Sequence, residues 1–199
     1  MSDVATLTAR ERAKADRRAS LLASAARLFA ERGFDRVPME ELGAAAGVSG
    51  PAVYRHFPGK QAVLAALLVD VSDDLFVGGQ TVVATAIGDR AALRSLIHFH
   101  VDFALANPDV IRVQDRDLGS LADADRHSVR TLQRNYVELW VEVLGRIHPN
   151  VDTAALRIRA HATFGLINST PHSARTSPRA AVGGLLEQMA WAALMATAD

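Results

Sequence analysis

Apolar side chains recur along this chain every three to four residues, which is the spacing of amphipathic helices. No segment alternates apolar and polar residues in the manner of a strand. The first helical face ends near Arg32, and Gly33 is placed to stop that helix. A second long face begins near Gly59, and the pair Gly78–Gly79 predicts its end. The pattern therefore predicts an all-α protein.

Five further helical segments follow, each bounded by capping residues or proline. They are predicted over residues 89–106, 108–117, 123–147, 152–169 and 178–196. The stretch from Ser169 to Ser177 contains Pro171 and small polar residues, which predicts a surface loop between the last two helices. Together with the four helices that precede these five segments, the predicted total is nine helices. We divide them into a three-helix head, residues 1–62, and a six-helix body, residues 63–199.

Residues 37–60 read VPMEELGAAAGVSGPAVYRHFPGK and predict a helix-turn-helix. A short apolar-faced helix precedes Gly47, which can take the left-handed conformation that stops a helix. Ser49 then suits the N-cap of a second short helix, and Pro51 falls in its first turn. This second helix, about residues 50–56, is the one that enters the DNA major groove in such units.

The segment GVSGPAVYRHFPGK resembles the signature of the TetR family of bacterial repressors, in which a GVS turn leads to YxHF and then to a lysine. The preceding ERGFDRVPMEELGAAAG is also similar to that family, and the resemblance covers about residues 16–64. It implies a ligand-responsive repressor that binds a partly palindromic operator as a homodimer. The family usually has Ser or Thr near Pro38, where the hydroxyl caps the second helix and contacts a phosphate, and proline can do neither.

Nine residues of the head are predicted to contact DNA. The start of the second helix faces base edges in such units, and Pro51 and Ala52 suit thymine methyl groups. The resemblance implies that Tyr54, His56 and Lys60 bind backbone phosphates. A basic segment at the start of the first helix adds a contact to a phosphate or to the minor groove. The complete predicted set is Arg17, Ser49, Gly50, Pro51, Ala52, Tyr54, Arg55, His56 and Lys60.

Polar residues on the apolar helical faces of the body indicate a ligand cavity, because buried polar groups need partners. An amphipathic effector such as a fatty acyl chain or an acyl thioester would fit such a cavity. Arg112 is the candidate partner for an anionic head, since its planar guanidinium suits a carboxylate or phosphate. A salt bridge from Arg112 to Asp109 or Asp115 is an equal alternative. The predicted ligand-binding residues are Phe99, Phe103, Arg112, Asn135, Trp140, His161, Phe164 and Asn168.

The last two predicted helices, helices 8 and 9, carry more apolar and small residues than one face of a monomer buries. Phe164 and Leu185 are two of the apolar side chains that we assign to this surface. Pairing with the same two helices of a second copy would bury them in a four-helix bundle. The sequence therefore predicts a homodimer through helices 8 and 9.

Charge and composition add little to the assignment of the head. The formal net charge is zero, but residues 1–60 carry net +3 and residues 61–199 carry net −3. This modest basic excess agrees with a DNA-binding head. The chain has no cysteine, which excludes disulfides and thiolate metal sites. No apolar run approaches the ~20 residues needed to span a membrane, so we expect a cytoplasmic protein without a membrane partner.

No cofactor and no enzymatic activity are predicted. His98, His100 and Asp102 are close in sequence, but only His98 and Asp102 share a helical face, so a metal site is not favoured. Neither a nucleophile elbow nor a phosphate-binding glycine loop occurs. Three alternatives to the ligand-responsive repressor remain: a small-molecule binding protein with a vestigial head, a helix-turn-helix regulator that senses no ligand, and an enzyme built on His and Asp in the body.

Overall fold

The computed structural model describes residues 8–173 and 177–196, and this part of the chain contains helices and no strand. The prediction of an all-α fold is confirmed. The helices are α1 (Ala9–Arg32), α2 (Met39–Ala45), α3 (Gly50–Val53), α4 (Lys60–Thr85), α5 (Asp89–Ala106), α6 (Pro108–Asp117), α7 (Asp123–Ile147), α8 (Thr153–Ile167), α9 (Thr170–Ser173) and α10 (Arg179–Met195).

The nine predicted helices are present, and the single turn α9 is added to them. This turn lies in the stretch that was predicted to be a surface loop. Thr170 and Pro171 of α9 are buried, and the Thr170 hydroxyl donates to the Ala104 carbonyl at 3.1 Å. The connection between α8 and α10 is therefore anchored to the body where it is described, whereas residues 174–176 of the predicted loop lie outside the described residues.

The basic segment near the N-terminus is the first part of α1. Thr8 accepts a hydrogen bond from the Glu11 backbone N–H, and the Glu11 side chain accepts from the Thr8 backbone, which is a complete capping box. Further along, Arg18 pairs with Asp70 of α4 at 2.6 Å and lies 5.5 Å from the centre of the Phe57 ring. Arg18 therefore joins α1 to the helix that follows the helix-turn-helix.

The buried side chains form two clusters, and α4 contributes to both. The first cluster contains the apolar faces of α1, α2 and α3 together with Leu64 and Leu68 from the beginning of α4. The second cluster lies among α5, α7, α8 and α10, and Leu75 and Phe76 of α4 pack against it. The long helix α4 thus connects the head to the body.

The predicted end of α4 at Gly78–Gly79 is wrong, because the helix continues to Thr85. The glycines serve close packing instead. A Cβ atom at Gly78 would lie 2.4 Å from Cζ of Phe99, and one at Gly79 would lie 2.6 Å from Cε2 of Tyr136. These distances are too short for any side chain, so the two glycines let α5 and α7 place aromatic rings directly on the α4 backbone.

The short helix α6 lies between the head and the body. Val113 belongs to the first buried cluster, and Ile111 belongs to the second. At the end of α6, Arg116 donates to the carbonyl oxygens of Phe29 and Ala30 in the last turn of α1, the latter at 3.3 Å. The guanidinium also donates to both carboxylate oxygens of Asp117 at 3.0 Å. A cation at a helix C-terminus satisfies carbonyls there and is favoured by the helix dipole.

Candidate functional site

The turn between α2 and α3 has the geometry that its sequence predicts. Gly47 has φ of 66°, in the left-handed region. The Val48 N–H donates to the Gly43 carbonyl at 2.8 Å, which closes the turn. Val53 and Phe57 are buried in the head and hold α3 against the other two helices. The turn and these two anchors fix the direction in which α3 faces solvent.

The second helix of the unit is shorter than predicted. Regular α-helix covers Gly50–Val53, and the chain then continues in turns that are hydrogen-bonded from His56 to Val53 and from Phe57 to Val53. Pro51 occupies the first turn, as predicted. Ser49 has the extended backbone of an N-cap, but its side chain makes no capping hydrogen bond. Its exposed hydroxyl is therefore available to another partner.

The predicted DNA-contacting residues lie on the solvent side of the head. Tyr54 exposes 51% of its surface, and Arg55, Ser49 and Pro51 are also exposed. Arg17 is exposed on α1. The remaining members of the set are half-buried: Gly50, Ala52, His56 and Lys60.

Lys60 is held in place by the head itself. Its ammonium donates to the Asp35 carbonyl at 3.1 Å and lies 4.5 Å from the centre of the Phe34 ring. Because an ammonium has three donors, this hydrogen bond leaves two for an external acceptor. Pro38 is the N-cap residue of α2 and provides no side-chain cap, in agreement with the departure that was noted in the sequence.

The body contains a cavity of about 200 Å³. Four of the eight predicted ligand-binding residues line it, namely Phe103, His161, Phe164 and Asn168. The wall is completed by residues that sequence reasoning did not select: Ser72, Leu75, His100, Val110, Ile111, Gln114, Gln133, Tyr136 and Val137. They come from α4, α5, α6 and α7, which enclose the cavity together with α8.

Four predicted ligand-binding residues lie elsewhere. Phe99 packs on Gly78, and Trp140 is fully buried behind the wall, 5.0 Å from Phe164 between ring centres. Asn135 is exposed on the outer side of α7. Arg112 pairs with Asp109 at 3.0 Å and donates to the carbonyl of Pro171 at 2.7 Å. Of the two alternatives for Arg112, the structure therefore shows the salt bridge.

His100 is the central polar residue of the cavity wall. It is 3% exposed, with Nε2 3.2 Å from Oδ1 of Asn168 and Nδ1 3.3 Å from the Tyr136 hydroxyl. Because Oδ1 only accepts, Nε2 carries the proton and Nδ1 accepts from the tyrosine. Burial lowers the pKa of His100 to about 4 and raises the pKa of Tyr136, an effect that the neighbouring indole of Trp140 only partly offsets. Both side chains are therefore uncharged at neutral pH.

His98 lies on the opposite side of α5 and is exposed. It pairs with Glu187 of α10 at 2.7 Å and with Asp102 at 3.4 Å, so His98 and Asp102 share a face as predicted. The hydrogen bond to Glu187 raises the pKa of His98. In the described part of the chain, no group of three or more His, Asp or Glu residues could hold a metal ion.

The outer faces of α8 and α10 are apolar, but Phe164 is not part of them because it faces the cavity. Ile158 exposes 69% of its surface, Leu185 56% and Met189 45%. Small residues separate these side chains on the outer faces, including Ala162 and Gly165 on α8 and Gly184, Ala192 and Ala193 on α10. None of the described helices is both long and apolar enough to cross a membrane.

Comparison with known proteins identifies the family. Residues 21–67 match the family described as bacterial regulatory proteins, tetR family, and residues 88–172 match the tetracyclin repressor-like C-terminal domain. The chain is 30% identical over 132 residues to the HTH-type transcriptional repressor KstR2 of Rhodococcus jostii (strain RHA1), a match that covers 66% of this chain and 65% of that protein. The chain belongs to the TetR family of bacterial transcriptional regulators, which bind DNA through a helix-turn-helix.

Solved structures show the same fold. The ketosteroid transcriptional regulator KstR2 of Mycobacterium tuberculosis has a TM-score of 0.74 at 22% identity, over 89% of this chain and 93% of that one. AibR, in complex with isovaleryl coenzyme A and operator DNA, has a TM-score of 0.70 at 17% identity, over 87% of this chain and 97% of that one.

Proposed function

We propose that this chain is a ligand-responsive transcriptional repressor that acts as a homodimer on a partly palindromic operator and is released by a small-molecule effector. The observation that carries the proposal is the position of α6, which lines a cavity on one side and holds the head on the other. The head, residues 1–62, supplies DNA binding, and the body, residues 63–199, supplies ligand binding and dimerisation. The protein acts in the cytoplasm, where its operator lies, and catalyses no reaction.

Dimerisation would set the spacing of the two heads. We propose that the outer faces of α8 and α10 pair with the same faces of a second copy, which would remove Ile158, Leu185 and Met189 from water. Such a dimer would place two α3 helices about one duplex turn apart, roughly 34–36 Å, for binding to two half-sites. The twofold symmetry of the dimer would be mirrored in the operator.

Coupling between the cavity and the head would run through α6. Val110, Ile111 and Gln114 line the cavity, while Val113 is buried in the head cluster. Arg116, two residues beyond Gln114, holds the C-terminal carbonyls of α1. An effector that fits the cavity better when α6 is displaced would therefore move α1 and change the spacing of the heads. Its effect on DNA binding is limited by its difference in affinity for the two states.

Relatives support a regulator that responds to an effector, and the relative that matches the larger part of this chain favours repression. KstR2 of Rhodococcus jostii is named a repressor, whereas FasR of Mycolicibacterium smegmatis, 34% identical over 88 residues, is named an activator. One related structure holds both isovaleryl coenzyme A and operator DNA. The described cavity wall contains no Asp, Glu, Lys or Arg, which bears on the chemistry of the effector.

Tyr54→Ala and Lys60→Ala should each weaken operator binding on all sequences to a similar extent, because each removes a group that binds a phosphate. The Lys60 variant should also lower the salt dependence, by about 0.9 in log slope for each phosphate that is no longer neutralised. Gel-shift titrations at several salt concentrations measure both effects. Arg90→Ala is the matched control, since this exposed cation lies in the first turn of α5, outside the head. Unchanged affinity in both head variants would favour a binding protein with a vestigial head.

Arg116→Ala should lower the free energy of unfolding by about 1–2 kcal/mol, because carbonyls of α1 lose their donor and the Asp117 carboxylate loses its partner. The loss is small because the Arg116 side chain is 45% exposed, so that water screens its interactions. Urea unfolding measures the loss, and amide hydrogen exchange in the last turn of α1 should become faster. Arg27→Ala, which breaks an exposed pair with Glu31, should change stability by no more than about 0.5 kcal/mol. Equal effects in the two variants would contradict a special role for Arg116.

A further inference from the structure

The wall of the cavity consists of apolar and uncharged polar side chains together with two histidines. None of the described residues that line it is Asp, Glu, Lys or Arg. His100 is neutral at physiological pH because it is buried, and His161 is exposed at the rim. Arg112, the cation that the sequence offered for an anionic head, is bound to Asp109 and Pro171 outside the cavity. A charged group held in the interior of the cavity, beside the neutral His100, would lose its water without gaining a charged partner.

The wall is nevertheless rich in hydrogen-bonding groups. Gln114 of α6 and Gln133 of α7 both line the cavity, and within the described chain neither amide has a hydrogen-bond partner. Asn168 accepts from His100 through Oδ1, so its amide N–H groups remain available. A hydrocarbon chain would cover these amides and leave them unpaired, which costs free energy. The part of the wall that carries these amides therefore disfavours an aliphatic tail.

The shape of the cavity suits a ring. Phe164 and Tyr136 are stacked at 15° with their centres 5.7 Å apart, and His100 lies 4.9 Å from Phe164. Aromatic walls favour offset or edge contacts with another ring. The volume of about 200 Å³ exceeds the ~150 Å³ that accommodates benzene in an engineered protein cavity, and it is smaller than the roughly 300–1,000 Å³ of drug-sized pockets.

We propose that the cavity binds an uncharged molecule of about one ring, with carbonyl, amide or hydroxyl groups that hydrogen-bond to Gln114, Gln133 and Asn168. This replaces the fatty acyl chain or acyl thioester that the sequence suggested. Binding itself is independent of the proposed repressor function, but the role of the molecule as an effector depends on it. Gln114 would couple occupancy of the cavity to the head, because it lies on α6 two residues before Arg116.

The test compares uncharged and charged ligands of the same shape. Benzamide and 4-hydroxybenzamide are titrated into the full-length protein by calorimetry, beside benzoate, 4-hydroxybenzoate, octanoate and octanoyl coenzyme A. We expect each amide to bind at least tenfold more tightly than its carboxylate and than both acyl compounds. Tighter binding of octanoate or octanoyl coenzyme A, or no binding of either amide at millimolar concentration, would overturn the proposal.

Variants locate the binding. Gln114→Leu and Gln133→Leu should each weaken amide binding about tenfold, whereas Gln80→Leu, on the exposed side of α4, should not. The chain has two tryptophans, and Trp191 lies under Arg94 on the surface of α10, so Trp191→Phe leaves Trp140 as the reporter behind the cavity wall. The fluorescence of Trp140 should change as benzamide is added, and this titration should give the same Kd as calorimetry. An affinity for the amides that is unchanged in both glutamine variants would contradict binding at this site.

A gel-shift on the same preparation separates the two proposals. Operator binding without any amide binding would leave the repressor function intact and refute the ligand class. Amide binding without operator binding would support the ligand class and refute the repressor function. If both proposals are correct, benzamide should release the operator from the wild-type protein. About tenfold more benzamide should be needed for the Gln114→Leu variant.

Discussion

A Leu185→Asp variant should sediment as a monomer at micromolar concentration and bind its operator about 10²–10⁴-fold more weakly than the wild type. Leu185 is 56% exposed in the single chain and lies at the centre of the apolar outer face of α10. An aspartate there would be buried without a partner in the proposed four-helix bundle, which costs several kcal/mol by order of magnitude. In the dimer, binding of the first head holds the second head at a high effective concentration near its half-site, and the monomer lacks this advantage.

The matched control for this variant is Ile87→Asp. Ile87 is 96% exposed between α4 and α5, so the same change of chemistry occurs away from α8 and α10. It should remain dimeric and bind the operator normally. Sedimentation velocity and gel-shift titration on both variants decide the matter. A Leu185→Asp protein that remains a dimer with full operator affinity places the interface elsewhere, and a wild type that is already monomeric refutes the dimer.

Lowering the pH from about 7 to about 4.5 should remove roughly 2–3 kcal/mol of unfolding free energy through His100 alone. The pKa of His100 is lowered from 6.5 to about 4 in the folded protein, because the ring is buried. As the pH falls below 6.5, the unfolded chain binds a proton at this residue while the folded chain does not. The stabilisation is therefore present above pH 6.5, declines as the pH falls toward 4, and is absent below it.

His100→Gln isolates this contribution from those of the other titrating groups. Glutamine cannot bind the proton, so the variant should lose less stability between the two pH values, by the same 2–3 kcal/mol or so. Urea unfolding of both proteins at both pH values gives the four free energies that are needed. The raised pKa of His98 acts in the opposite direction but equally in both proteins. Identical pH dependence in the two would show that His100 does not remain buried and neutral.

Local chemistry made the helix-turn-helix predictable. Gly47, Ser49 and Pro51 act through the conformations that their own backbones allow, so their positions in the turn follow from sequence. The end of α4 was not predictable in the same way, because Gly78 and Gly79 are required by rings from two distant helices. The sequence alone does not distinguish a glycine pair that permits close packing from one that ends a helix.

The cavity was predictable in outline only. Periodicity places Phe103, Phe164 and Asn168 on inner faces, but a neighbour along a helix is rotated by about 100°. Asn135 therefore points outward while Tyr136, one residue later, points inward. His100 was open to detection, since it continues the buried face of α5 that includes Leu93, Leu96 and Ile97.

The first buried cluster limits how freely this regulator can exchange parts with its relatives. Val110 and Val113 of α6, with Leu121 and Val129, complete the apolar interior of the head. A chimaera that joined residues 1–62 to a foreign body would inherit the helix-turn-helix and leave that interior open. The transplantable unit is thus larger than the unit that touches DNA. Substitution at Pro51 and Arg55, which are both exposed, should change operator preference at a lower cost in stability.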